Sequence, residues 1–276
     1  MNIKSLVTTS VIAMAAASAA QAADVIIPRE TAPAVIAAPS FAWTGFYIGG
    51  QVGNFSSKVD AFDSETNKKI TDKDLTPKPS GFMGGIYVGS NVDLGNGLIL
   101  GVETDAVWAD REESKVHSEV IGDEKLEAFK AKLEAAKVTF TSENKDIAKD
   151  DKRIDSASIK EKWSGATRVR IGFAAVDRIM PYFAGGIAYT QLQSTHSVKV
   201  MAKADGVEIA SAKFLDKTKT MVGFTVGGGV DFAMTDNVLL RAEYRYADFG
   251  KKAFVKDEDK TAYKTNDFRV GVAYKF

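Results

Sequence analysis

The chain contains no cysteine, so disulfides, thiolate nucleophiles and cysteine metal sites are all unavailable to it. It has only two histidines, His117 and His196, and no HExxH pair. No serine is placed beside both a base and an acid, which leaves zinc chemistry and hydrolysis without their parts. There is no surplus of either charge: 36 Lys and Arg stand against 36 Asp and Glu, whereas a nucleic-acid partner would require a basic excess. Beyond residue 22 no apolar run approaches the ~18 residues of a membrane helix. A chain that crosses a membrane without one must do so as a closed sheet, because only helices and barrels satisfy every backbone polar group in lipid. Two glycine-rich stretches also lack what phosphate binding needs. GFYIGG (45–50) runs into Gln51-Val52 instead of Lys and Ser or Thr, and GGG (227–229) has no helix after it. No enzyme activity is expected.

What is present begins with a secretory pattern. Lys4, an Ala-rich apolar stretch and Ala20-Gln21-Ala22 form the charge, core and small-residue cleavage site of a signal peptide over residues 1–22. Residues 23–42 carry Pro28, Pro33 and Pro39 without a usable period and read as an extended tether. The remaining 43–276 form one domain, and 23 Gly with 16 Phe and 8 Tyr favour strands over a helical bundle.

Eight segments alternate with period two over roughly 10 to 14 residues, the length of tilted membrane strands. They lie near 43–56, 81–93, 98–110, 163–175, 181–193, 219–232, 238–248 and 266–276. In the last, FRVGVAYKF, Phe268, Val270, Val272, Tyr274 and Phe276 share one face, with Arg269 and Lys275 on the other. A soluble sandwich can alternate as well. Here, however, the polar face repeatedly carries full charges of both signs: Glu103, Asp105, Asp231 and Glu243 against Arg168, Arg170, Arg241, Arg245, Arg269 and Lys275. Paired with one another these ten residues would line a polar lumen, leaving the apolar face to lipid. The fold expected is all-β, an eight-stranded antiparallel transmembrane barrel.

The connections alternate as well. Short ones (93–97, 176–180, 233–237) separate long ones (57–80, 111–162, 194–218, 249–265), the pattern of periplasmic turns and extracellular loops, which puts both chain ends in the periplasm. Within the second long loop, DEKLEAFKAKLEAAK (123–137) has Leu126, Phe129 and Leu133 at helical spacing with acids early, predicting a short helix packed on neighbouring loops. In the third, Asp205-Gly206 between alternating flanks predicts a hairpin turn. Long charged loops at the cell surface imply contact with host molecules or antibodies. An eight-stranded barrel is just wide enough for side chains to fill, so a porin-like channel or a purely structural barrel stands as the alternative to a surface-binding role.

The stretches SFAWTGFYIGGQVG (40–53), LRAEYRYADFG (240–250) and FRVGVAYKF (268–276) resemble the small outer-membrane barrel family of Brucella and Bartonella, the N-terminal half most of all the Bartonella hemin-binding members. The resemblance implies a barrel in outer-membrane lipid, with Tyr274 and Phe276 serving as the terminal signal read by the barrel assembly machinery. In the hemin-binding branch it also implies capture of hemin at the surface. Hemin requires a His or Tyr axial ligand and cations for its propionates. His117, His196 and Tyr263, all in long loops by this reading, are the candidate ligands, with lysines such as Lys251 and Lys264 nearby.

Overall fold

In a computed structural model, residues 41–63, 66, 68–69, 77–135, 138–140, 147–174, 176–253 and 260–276 are described. The expected signal peptide and almost all of the tether therefore lie outside the described residues. The elements are β1 (Gly45–Phe62), β2 (Ser80–Asp93), β3 (Leu98–Val120), α1 (Asp123–Ala135), β4 (Thr139–Phe140), β5 (Lys152–Phe173), β6 (Ile179–Met201), β7 (Glu208–Ala233), β8 (Val238–Ala253) and β9 (Lys260–Lys275). All pairings are antiparallel, in the order β7-β6-β5-β3-β2-β1-β9-β8. A further β7–β8 pairing closes eight strands into a ring, and the two-residue β4 adds to β7 outside it.

Alternation decides the two faces. Outward stand Ile48, Ile86, Val169, Ile171, Val226, Val270 and Val272, all exposed, between two rows of aromatic rings. Phe46, Phe173, Phe232, Tyr274 and Phe276 make the row at the short-turn end; Phe82, Trp108, Phe224 and Phe268 make the row at the other. Inward, the ring is narrow enough to need glycine where large side chains cross it. Tyr47 and Gly89 are register partners, as are Gly49 and Tyr87. A Cβ on Gly89 would sit 2.3 Å from Tyr47 Oη, and one on Gly49 would sit 2.5 Å from Tyr87 Cζ. Each tyrosine ring thus occupies the space its partner's side chain would have filled.

The interior is layered. At the short-turn end Trp43, Tyr47, Tyr87, Ile99, Met180 and Leu239 belong to one apolar cluster; above a charged layer, Val59, Ile159, Leu192, Met221, Phe249 and Tyr263 form a second. Short turns join the strands below. In the first, Gly95, Asn96 and Gly97 all have positive φ, and Asp93 Oδ1 accepts from the Gly95 amide at 2.8 Å.

Above the aromatic row several strands run much further than their apolar alternation. β3, β5, β6 and β7 continue to Val120, Lys152, Met201 and Glu208 as one sheet, so both ends of the loop expected at 111–162 and most of that expected at 194–218 are strand. The physical reason is the outside medium. Past Trp108 and Trp163 the outward residues become Glu112, Ser114 and Lys160, so the period-two signal fades although the ladder persists. Bulges at Trp108/Arg111 and Glu161/Trp163 mark this transition. The predicted helix forms over Asp123–Ala135, and residues 136–137 lie outside the described residues. Its Phe129 and Leu133 are buried on Val198, Val200, Ile209, Ala210 and Ala212, with Leu126 packed against them. The hairpin turn forms where Asp205-Gly206 places it, Gly206 having φ +65°.

Candidate functional site

The charged layer is built by inward residues of β3, β5, β7, β8 and β9. Nine of the ten residues assigned to a lumen network meet there, all buried, and Asp267 joins them. Arg168 makes a two-pronged contact with Glu243, 2.9 Å on each side, and reaches Glu103 Oε1 at 2.6 Å. Arg170 Nη2 lies 2.6 Å from Asp231 Oδ2. Arg241 grips the same carboxylate through Nε at 2.7 Å and Nη2 at 2.9 Å, and also donates to Glu103. Arg245 chelates Asp105 at 3.0 and 2.8 Å and bonds Glu243 at 3.0 Å. Arg269 joins Asp105 at 3.1 Å and Asp267 at 2.7 Å. Tyr47 and Tyr182 donate to Glu103 and Glu243 at 2.8 and 2.7 Å. The Arg170 guanidinium stacks 3.8 Å from the Tyr182 ring centre, and that of Arg241 stacks 4.4 Å from the Tyr87 ring centre. Five guanidiniums (Arg168, Arg170, Arg241, Arg245, Arg269) therefore face five carboxylates (Glu103, Asp105, Asp231, Glu243, Asp267), which leaves the layer without net charge. Buried charges are tolerable only when paired and hydrogen-bonded in this way.

Lys275 stands apart. Although inward, it sits at the short-turn end, with Nζ 3.5 Å from the Thr44 carbonyl oxygen and 5.5 Å from the Phe41 ring centre. Asp267 belongs to the layer because it lies two residues before Arg269 on the same inward face of β9, inside the strand expected at 266–276. Carrying the alternation two residues back from Arg269 would have found it.

A ring of strands with charge inside and apolar residues outside is the reverse of a soluble protein. Residues 9–276 match the family described as outer membrane protein beta-barrel domain. The chain belongs to this family. It is 32% identical over 280 residues to the 31 kDa outer-membrane immunogenic protein of Brucella melitensis, covering 99% of this chain and 100% of that one. It is 27% identical over 278 residues to the 25 kDa outer-membrane immunogenic protein of the same organism, covering 100% and 99%. Among solved structures it is similar to the outer membrane protein OprG from Pseudomonas aeruginosa at 12% identity and a TM-score of 0.43, covering 84% of this chain and 96% of that one. In an outer-membrane barrel the exposed apolar belt meets lipid and the aromatic rows lie at its two interfaces.

The candidate hemin ligands fall in different places. Tyr263 is not in a loop: it is fully buried in β9, its hydroxyl donating to the Glu161 carboxylate and its ring 5.7 Å from that of Phe249, because the strand continues inward past the belt. That burial removes it as a surface ligand. His117 lies on β3 as the register partner of Asp155 on β5. His196 on β6 points Nε2 at Asp155 Oδ1 from 3.7 Å, its ring 6.1 Å from that of Phe214. Both imidazoles share the face of the extended sheet on which α1 packs. Among the described residues no three His, Asp or Glu side chains are grouped to hold a metal ion. Nearer the tip, Arg153 lies over the Phe129 ring and bonds Asp155 at 2.7 Å. Exposed pairs complete the lobe: the ammonium of Lys203, bonded to Asp150 at 2.9 Å, holds that carboxyl below its usual range, and Lys199 does the same for Glu208 at 3.1 Å.

Proposed function

We propose that this outer-membrane barrel is a closed, non-conducting anchor that presents its helix-capped lobe at the cell surface for contact with other molecules, both chain ends being periplasmic. The observation that carries this reading is the pairing of a filled interior with a long extension. The lumen holds a neutral ionic layer between two apolar clusters, while four strands run on well past the aromatic row to bury α1. Relatives named as immunogenic add support, since antibodies reach what a cell displays. Tyr274 and Phe276, stacked edge to face at 5.1 Å on the outer wall, take the part of the terminal assembly signal.

Because the chain has no cysteine, single thiols can be placed at will. A Ser118→Cys variant, exposed on the lobe, is expected to react with a membrane-impermeant maleimide on intact cells, and Asn96→Cys in a short turn only after lysis. The opposite labelling would invert the orientation.

A second reading, hemin capture in the manner of the Bartonella branch, draws on two imidazoles sharing one wall with Asp155 between them and an aromatic ring at hand. It predicts that replacing His117 and His196 together by Ala weakens hemin binding at least tenfold in an absorbance titration of the refolded barrel. An unchanged Soret shift and affinity would remove both from the account. Tyr263→Phe is expected to leave hemin binding unaltered.

A further inference from the structure

The outer wall carries a second kind of glycine. Where inward glycines face clashes, Gly50 and Gly84 point outward into open space: a Cβ on Gly50 would meet nothing nearer than 4.0 Å, and one on Gly84 nothing nearer than 3.8 Å. The fold does not need these side chains to be missing. What their absence leaves is a groove of about 730 Å³ across β8, β9, β1 and β2, with Gly50 and Gly84 on its floor and Val52, Leu240, Val270 and Val272 along its sides. Gln51 and Arg241 contribute backbone only, their side chains being buried inside the barrel.

We propose that this groove is a binding site for one acyl chain of an outer-membrane lipid, held more firmly than the surrounding bilayer. Four features select that occupant. The groove lies between the two aromatic rows, at a depth where the medium of an outer-membrane barrel is hydrocarbon. Every outward side chain lining it is apolar, which offers nothing to a headgroup or a polar partner. Its volume is that of a small-ligand site, and a flexible chain can follow a concave strip of wall. A second barrel presents a convex wall and would need a protruding side chain to fill the same space. Among the described residues the most exposed large apolar side chain, Phe183 at 80%, stands on β6 across the ring, so that contact would be head-to-tail and non-closing, with no symmetric dimer to stop it.

The test is native mass spectrometry of the full chain extracted from its own membrane in a mild detergent. The unaltered barrel is expected to retain one lipid, and Gly50→Leu with Gly84→Leu to lower that occupancy at least tenfold. Gly185→Leu, an outward glycine on the opposite wall whose Cβ also has room, is expected to keep it. Heat-modifiable gel mobility reports folding, and Gly50→Ala with Gly84→Ala is the milder pair read in the same way. Equal occupancy in the folded groove variants and the unaltered barrel would overturn the proposal. So would a dimer in the unaltered barrel that the groove variants convert to monomer, since a second copy would then be the occupant.

Discussion

Asp231→Ala is expected to destabilise the barrel by about 3–5 kcal/mol, because it takes the shared carboxylate from two buried guanidiniums and leaves the layer with one uncompensated positive charge. Asp231 is fully buried and accepts three bonds, from Arg170 at 2.6 Å and from Arg241 at 2.7 and 2.9 Å. Taking a charge out of water is offset only by its partners, so removing the shared carboxylate costs more than the loss of its bonds. Urea unfolding of the barrel in lipid vesicles would read the change. Asp236, whose contact with Arg178 is at the exposed rim, is the control, and its replacement by Ala should cost within about 1 kcal/mol.

Val169→Arg is expected to cost about 2–4 kcal/mol in the same assay. Val169 lies midway between Trp163 and Phe173 on the outward face of β5, half exposed, where a guanidinium would stand in hydrocarbon. Val116→Arg places the same charge on an even more exposed valine, but on the lobe, in water, and should change stability by no more than about 0.5 kcal/mol. A soluble protein would treat the two sites alike, because both are surface positions.

The contrast between Val169 and Val116 also explains how much of the molecule could be read from its sequence. Where lipid lies outside, outward positions are predominantly apolar, and strands such as Val238–Ala253 show their period openly through Leu240, Tyr244 and the inward Arg241, Glu243 and Arg245. Where water lies outside, Glu112, Ser114 and Lys160 replace that row, so the upper halves of β3 and β5 look like loop until the ladder is seen. The same blindness moved Tyr263 out of the barrel: its partner residues Val59 and Phe249 come from strand extensions with no lipid-facing stripe to announce them. The ionic layer was legible as a set of charges, but pairing was not. Alternation says which residues point inward, whereas depth along the axis decides that Asp267 joins the layer and Lys275 does not. The helix was legible because Leu126, Phe129 and Leu133 repeat with the helical period whatever the medium.

A barrel whose interior is closed by its own side chains can act only through the surfaces it presents. Purified barrel inserted into a planar lipid bilayer at moderate salt measures this directly. A closed lumen predicts a baseline without discrete steps, even though folded protein is recovered from the membrane; long-lived uniform steps that persist in the presence of a lobe-binding antibody would contradict it.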